Sequence, residues 1–526
     1  MVDLSEGLLA GLLIALGVAA FARWRGWGMA IPVLVAGIAF GLLPFGPSAP
    51  EDAGEIFLLV LAPLVFGEAL STSYVDFRRF RRPIFALAVG LVLVTSLAVG
   101  AVAAALVPGI PLSLAFALGA ILSPTDAVAV AAIARRVALP RRVVTILEGE
   151  SLVNDGTGLT LLRVALAAAA TGTVSGGEIA WILLQSVVGG LIVGVAAGLA
   201  VAWLIRRDPD QTVVNAFVLV TPIPVYYLAE SVDGSGILAV VAAALIIANA
   251  MLTHRRFEGR RSSVAIWRQI TFILTAAAFF LVGLELPETV LALPADDLRI
   301  LPVLVVAVVG VLVASRLVFV VGYSLVSGRG EAHIGPREAI VLAWAGARGP
   351  VSGLAAFSLP LGVGVEAAVD QSRLLQATTF VVIGITLALS PTLGLVARAV
   401  RLEPLDLDDD RREVRVAMAA RGLDALDEAV RDAAGARESL PQGAEEAIRQ
   451  RLLAALESAT GSGTHADQHA DAYRLEMAVL RAQQDELLRL RESGTPDAVI
   501  RPALHELDLQ VSALRARRPP DDPGTH

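Results

Sequence analysis

Runs of about 20 apolar residues, separated by short polar, proline- or glycine-containing stretches, repeat along the first three-quarters of the chain. A helix needs about 20 apolar residues to cross the hydrocarbon core of a bilayer, and these runs are too long for membrane strands. The pattern predicts an all-α polytopic membrane protein with about 13 transmembrane helices. The runs cover residues 7–22, 29–45, 55–73, 84–107, 112–134, 143–170, 179–205, 212–230, 236–252, 264–286, 299–326, 338–359 and 373–400.

Arginines and acidic residues alternate between successive loops. Loops after odd-numbered runs carry arginines, such as Arg78, Arg79, Arg81 and Arg82, whereas loops after even-numbered runs carry Asp and Glu. Basic residues mark the cytoplasmic loops of membrane proteins. We therefore expect a multi-pass protein of the cell membrane with its N-terminus outside and its C-terminus in the cytoplasm.

Composition agrees with this picture. The chain is 56% hydrophobic and 17% charged, whereas a soluble domain is about a quarter charged. It contains no cysteine, which excludes disulfides and thiolate metal sites. Nothing in the sequence predicts a cofactor or a nucleic-acid partner.

The composition changes near residue 404. Beyond it the chain is rich in Ala, Leu, Glu and Arg with helical spacing of its apolar residues. The sequence therefore predicts two domains, a transmembrane domain over residues 1–403 and a cytoplasmic helical tail over residues 404–526. A role of the tail in dimerisation or regulation is the simplest interpretation.

The chemistry is expected in the sixth run, where Glu150, Ser151, Asn154 and Asp155 interrupt apolar sequence. Their spacing lets several of them share one face of a helix. Polar residues at this depth are tolerated when they face a cavity or a partner. A carboxylate at Asp155 can hold a proton or a hard cation, but only one at a time. The alternative is an Asn–Asp pair that only satisfies backbone groups of a neighbouring broken helix.

Two runs are predicted to be interrupted helices. In the fifth, Pro124 precludes a regular helix and frees carbonyl groups, to which Thr125 and Asp126 add side-chain oxygens. In the twelfth, residues 346–353 contain three glycines and a proline. A shift of seven helices between the two breaks is the pattern of an inverted repeat with its binding site between broken helices. A simple kink, with Asp126 as a helix N-cap, is the alternative.

Three further charges lie inside apolar runs. Arg348 requires a buried anionic partner, and we expect Glu150 to supply it in a structural ion pair. Arg316 is expected to satisfy freed carbonyl groups or the end of a half-helix. Glu68 lies near the cytoplasmic end of the third run, where a residue lining a cavity and a snorkelling residue are equally good interpretations.

Four motifs in combination resemble the sodium/proton exchanger family of the bacterial NhaP and animal NHE type, over about residues 1–400. They are Ser-Pro-Thr-Asp at 123–126, Glu-Gly-Glu-Ser-Leu-Val-Asn-Asp at 148–155, Phe-Phe-Leu-Val-Gly-Leu at 279–284 and Gly-Ala-Arg-Gly at 346–349. The resemblance implies inverted six-helix repeats, two crossed unwound helices, a dimerisation domain, a mobile core domain and a homodimer.

The resemblance also assigns roles. It implies that Asp155 binds Na+ and H+ and that Asn154 completes the pair, with Thr125, Asp126 and Ser151 as ligands or near-ligands. It also implies the Glu150–Arg348 salt bridge. Some prokaryotic members place a coordinating acid directly after Phe in the third helix. Here Glu68 comes one position later, after Phe66 and Gly67, which rotates it by about 100° on a helix.

The expected function is therefore secondary active antiport of Na+ against H+ by elevator-type alternating access. Asn154 in place of a second carboxylate suggests one proton per cation, hence electroneutral exchange. K+/H+ antiport is the nearest alternative, and Li+ is a further candidate cation. A membrane enzyme is disfavoured because His-Glu-x-x-His and Gly-x-Ser-x-Gly motifs are absent from the sequence. A non-transporting sensor with the tail as its output is the third alternative.

Overall fold

The structure, a computed structural model, describes residues 4–43, 53–126, 139–171, 176–207, 210–253, 257–328, 333–359, 366–402, 408–436 and 443–460, with isolated positions between 477 and 514. The chain forms two compact units, Met1–Leu405 and Asp406–His526. The described part of each unit consists of helices, turns and irregular segments without strands.

Twenty α-helices follow one another in the described part of the chain. They are α1 Leu4–Trp24, α2 Ala30–Gly41, α3 Ala53–Ser71, α4 Tyr74–Arg79, α5 Arg81–Phe85, α6 Val92–Leu106, α7 Leu112–Leu122, α8 Arg141–Thr171, α9 Gly176–Arg206, α10 Gln211–Val220, α11 Pro222–Glu230, α12 Gly236–Thr253, α13 Phe257–Leu291, α14 Ala295–Val326, α15 Pro336–Trp344, α16 Pro350–Ala356, α17 Glu366–Leu389, α18 Leu393–Ala399, α19 Asp408–Ala436 and α20 Ala444–Thr460. A π-helical segment, Ala86–Leu91, joins α5 to α6.

Long apolar helices dominate the first unit. Among the described residues, six helical stretches are long and apolar enough to cross a membrane, and several shorter apolar helices accompany them. Helix α8 is also long, at 31 residues, but it is less apolar since it carries Glu150, Asp155 and Arg163. The predicted all-α polytopic membrane fold is confirmed; the number of spans stays a prediction.

The two predicted interruptions lie at the expected positions. Helix α7 ends at Leu122, and residues 123–126 are not helical. The continuation predicted to residue 134 lies outside the described residues. Helix α15 ends at Trp344, residues 345–349 are not helical, and α16 begins at Pro350. Proline suits the first turn of a helix but not its interior, so Pro350 starts a new helix after the break.

Close helix packing uses small residues, as is typical within a bilayer. In α9, Gly190, Gly194 and Gly198 recur every four positions and face α12. A Cβ atom on Gly194 would lie 2.3 Å from the carbonyl oxygen of Ala239, so any side chain there would force the two helices apart. The opposite face of α9 exposes large apolar side chains to the surroundings, including Ile192. This face suits lipid or another protein chain.

The second unit is built on a pair of packed helices. Gly422 in α19 lies against the side chain of Leu452 in α20. Arg449 joins them through a hydrogen bond of 2.6 Å to Asp427, and it also binds Glu445 on its own helix at 2.9 Å. A small apolar cluster further along the tail contains Met477, Leu480, Leu507, Val511 and Leu514.

Candidate functional site

A chain of hydrogen bonds ties the first unwound segment to α8. The side-chain amide of Asn154 donates to Thr125 Oγ1 at 3.0 Å, and the Thr125 hydroxyl donates to Glu150 Oε1 at 3.1 Å. All three side chains are buried. These bonds fix the orientation of Asn154, and its Oδ1 atom is left buried without a hydrogen-bond partner. A buried acceptor without a partner is costly unless something else binds it.

Asp155 lies one position after Asn154, but its side chain has a different environment. It is only 3% exposed, yet within the described part of the chain its carboxylate accepts no hydrogen bond and forms no ion pair. Asp126 lies within electrostatic range of Asp155, and Glu68 lies within range of both. The structure therefore brings Glu68 towards the two aspartates, despite its shifted position in the sequence.

The two unwound segments cross directly beside these residues. The backbone N–H of Asp126 donates to the carbonyl oxygen of Ala347 at 2.8 Å. A Cβ atom on Gly349 would lie 2.4 Å from Asp126 Cβ, so only glycine permits this approach. On the other side of Asp126's segment, Gly158 in α8 packs against the ring of Pro124. The chain thus places Thr125 and Asp126 between α8 and the second broken helix.

The ion pair of Glu150 differs from the prediction. Its carboxylate pairs with Arg316 of α14 through two hydrogen bonds of 2.5 and 2.8 Å, not with Arg348. The planar guanidinium of Arg316 can engage both carboxylate oxygens at once. Both side chains are almost completely buried, so the pair requires this two-point contact to offset the cost of desolvation. The predicted Glu150–Arg348 salt bridge is therefore wrong in its basic partner.

Arg348 shares the role that the sequence suggested for Arg316, whose own Nε atom donates to the carbonyl oxygen of Leu342 in the last turn of α15 at 2.9 Å. The Nε atom of Arg348 donates to the carbonyl oxygen of Leu122 at 2.8 Å, and its Nη1 atom donates to the carbonyl oxygen of Gly346. Leu122 is the last residue of α7, and Gly346 lies just beyond α15, so the guanidinium donates hydrogen bonds to the C-terminal ends of both half-helices. These ends carry partial negative charge, which a buried cation stabilises. Thr386 of α17 accepts the backbone N–H of Arg348 at 3.2 Å and fixes this segment.

Ser151 is buried on α8, four positions before Asp155 and therefore on the same face.

The sequence does not predict the partner of Arg163, which also lies on α8. Arg163 pairs with Glu230 at the end of α11 and donates to the carbonyl oxygen of Gly234 at 3.2 Å. Glu230 also accepts the backbone N–H of Gly236 at 2.9 Å. An intramembrane arginine signals a partner, but 67 positions separate these two residues.

Breaking this pair is expected to weaken the contact between α8 and the turn before α12. Arg163→Gln and Glu230→Gln should each lower the midpoint of thermal unfolding, since each leaves one partly buried charge unpaired. The unfolding midpoint of the double variant should be no lower than that of the less stable single variant, which corresponds to a coupling energy of about 1 kcal/mol between the two residues. Thermal unfolding of the four purified proteins measures this cycle. Additive losses in the double variant would contradict the pairing.

Comparison with known proteins decides the family. The transmembrane sodium/hydrogen exchanger family matches residues 11–395. The chain belongs to this family. An uncharacterized Na+/H+ exchanger of Mycobacterium bovis is 31% identical over 533 residues, covering 97% of both chains, so this similarity includes the tail. A sodium, potassium, lithium and rubidium/H+ antiporter of Bacillus subtilis is 32% identical over 63% of this chain and 52% of its own.

The family fold is also found among solved structures. The sodium proton antiporter MjNhaP1 of Methanocaldococcus jannaschii matches with a TM-score of 0.65, at 19% identity, and covers 75% of this chain and 98% of its own. The chain is thus a multi-pass membrane transporter of the Na+/H+ exchanger family, as its motifs predicted.

Proposed function

We propose that the chain exchanges Na+ for H+ across the cell membrane and that Asp155 binds the two ions in turn. The observation that carries this proposal is the contrast between neighbouring side chains over less than two turns of α8. Glu150 is neutralised by Arg316 and Asn154 is held by Thr125, whereas the Asp155 carboxylate has no such partner among the described residues. A buried carboxylate in this position gains most from binding a cation or a proton.

We propose that oxygen atoms around Asp155 supply the other ligands of the cation. The Oδ1 atom of Asn154 is a buried acceptor without a partner, and its orientation is fixed by the bond from its amide to Thr125. The carboxyl groups of Asp126 and Glu68 lie nearby. Among the described residues, no three His, Asp or Glu side chains are close enough to form a metal site on their own. A monovalent cation at Asp155 would therefore also use hydroxyl and backbone oxygens, with Thr125 and Ser151 as candidates.

We propose electroneutral exchange because one carboxylate, Asp155, swaps one proton for one cation. Low pH on either side favours the protonated carboxylate and release of the cation there, whereas high pH favours loading of the cation.

The proposed movement is of the elevator type, in which α7, α8, α15 and α16 carry the site against a scaffold that includes α12. Gly156, next to Asp155, packs closely on Leu238 of α12, where a Cβ atom would lie 2.5 Å from that side chain. Such a contact between a glycine and an apolar side chain offers little resistance to sliding.

We also propose a homodimer, on the basis of the family resemblance, and a cytoplasmic C-terminus, on the basis of the arginine-rich loops.

Reconstitution tests the proposed transport. Proteoliposomes that contain the full-length chain and a pH-sensitive dye inside should change their internal pH when Na+ is added outside. The rate should not change when the membrane potential is clamped, since one-for-one exchange moves no net charge. Protein-free vesicles of the same lipid are the control. Absence of cation-dependent proton movement over the whole pH range would contradict the proposal.

K+/H+ exchange is a second candidate, and the Bacillus relatives favour testing it, because their names include potassium as well as sodium and lithium. The same vesicles, given Na+, Li+ or K+ in turn, separate the two candidates. A response to K+ that exceeds the response to Na+ would assign the chain to K+/H+ exchange.

A further inference from the structure

An arginine patch lies at one end of the membrane-spanning part of the chain. It consists of Arg78, Arg79, Arg81 and Arg82, four arginines within five positions, and all four side chains are exposed. They occupy the end of α4 and the start of the apolar span Arg81–Leu106. The end of a membrane span lies at the level of the lipid head groups, so the patch lies there too.

With Asp76 as its nearest acidic neighbour in the sequence, the patch keeps a net positive charge. In the described part of the chain, Arg78, Arg81 and Arg82 form no ion pair. The guanidinium of Arg142, at the start of α8, lies 5.6 Å from the ring centroid of Phe80, which stands between Arg79 and Arg81, so α8 adds a further positive charge beside the patch. The guanidiniums of Arg78, Arg81 and Arg82 attract phosphate groups, which their planar geometry can bind through two hydrogen bonds.

Large apolar side chains are exposed beside the arginines. Val75 in α4 is 70% exposed and Phe85 at the end of α5 is 48% exposed. A surface that presents apolar side chains next to basic ones suits the boundary between lipid head groups and acyl chains. A soluble anion would use the arginines but would leave Val75 and Phe85 in contact with water.

We propose that the arginine patch binds the head groups of anionic phospholipids in the adjacent leaflet. The arginines contact the phosphates, while Val75 and Phe85 contact the upper part of the acyl chains. This inference depends on the placement of the span in the membrane and goes beyond the proposed transport function.

The chain contains no cysteine, so a single fluorescent label can be placed at the patch as Val75→Cys. The labelled full-length protein is reconstituted into vesicles of equal parts phosphatidylcholine and phosphatidylglycerol, with a quencher carried by one lipid or the other. We expect phosphatidylglycerol to be enriched over phosphatidylcholine around the label by about fivefold, the effect of one basic residue near an anionic surface. The enrichment should fall as salt is added.

The quadruple change of Arg78, Arg79, Arg81 and Arg82 to Gln should abolish the enrichment, whereas the same four changed to Lys should retain most of it. The matched control changes two exposed arginines at the end of α9, Arg206→Gln and Arg207→Gln, and should leave the phosphatidylglycerol enrichment around position 75 unchanged.

A label at Ile192, in a stretch of α9 without charged residues, should report no preference between the two lipids. Equal quenching by both lipids at position 75 would overturn the proposal. So would enrichment that the Gln variant retains, or displacement of the lipid by inorganic phosphate, which would identify a soluble anion as the ligand.

Discussion

Asp155→Asn is expected to reduce Na+-driven proton movement in proteoliposomes to the level of protein-free vesicles. Asparagine has nearly the same shape as aspartate, but it neither binds a proton in this pH range nor carries the charge that holds a cation. Since Asp155 makes no hydrogen bond or ion pair with other described residues, its replacement removes no contact that stabilises the fold. The loss should therefore be one of transport and not of folding.

Two measurements make this test specific. The midpoint of thermal unfolding of Asp155→Asn should equal or exceed that of the parent, because a buried charge has been removed. Asp296→Asn, which changes an exposed carboxylate at the start of α14, is the matched control and should transport at the parental rate. Robust exchange by Asp155→Asn would exclude the proposed site and leave Asp126 and Glu68 as the candidate carboxyl groups.

The breaks in the helices could be predicted from the sequence because their causes are local. Pro124 and the glycines and proline of residues 346–350 restrict the backbone wherever they occur, so their effect does not depend on the rest of the fold. The polar cluster of α8 could be predicted for a similar reason, since four polar residues within six positions stand out from apolar sequence. Local chemistry therefore located most of the candidate site.

The pairing of buried charges could not be predicted in the same way. Two arginines in distant helices, Arg316 and Arg348, are available to Glu150, and the sequence favours Arg348. The choice depends on which groups each guanidinium reaches in the fold. Arg348 donates to the carbonyl groups of Leu122 and Gly346. Arg316 reaches the Leu342 carbonyl and the Glu150 carboxylate together. Sequence spacing contains no information about such a three-dimensional choice between partners.

The position of Glu68 shows a related limit. A shift of one residue on an ideal helix predicts a rotation of about 100°, which would turn the side chain away from the site. Helix α3, however, contains Pro63, five positions before Glu68, and a proline inside a helix distorts it locally. In the structure, Glu68 lies within electrostatic range of both aspartates. Its role as a ligand stays a prediction.

Arg316→Met is expected to cause the largest loss of stability, about 3–5 kcal/mol in the free energy of unfolding. The change leaves the Glu150 carboxyl group buried without its two hydrogen bonds from the guanidinium, and it also removes the bond to the carbonyl oxygen of Leu342. Denaturant titration of the purified protein measures the loss. Arg299→Gln, in an exposed ion pair on the same helix, is the matched control and should change stability little.

A second change distinguishes the observed pair from the one that the sequence suggested. Glu150→Gln should recover part of the stability lost in Arg316→Met, because the unpaired buried charge is then gone and the amide can still accept a hydrogen bond from Thr125. It should recover nothing in Arg348→Met, whose loss comes from the unpaired carbonyl groups of Leu122 and Gly346. Rescue of Arg348→Met but not of Arg316→Met would reverse the two assignments and return Glu150 to Arg348.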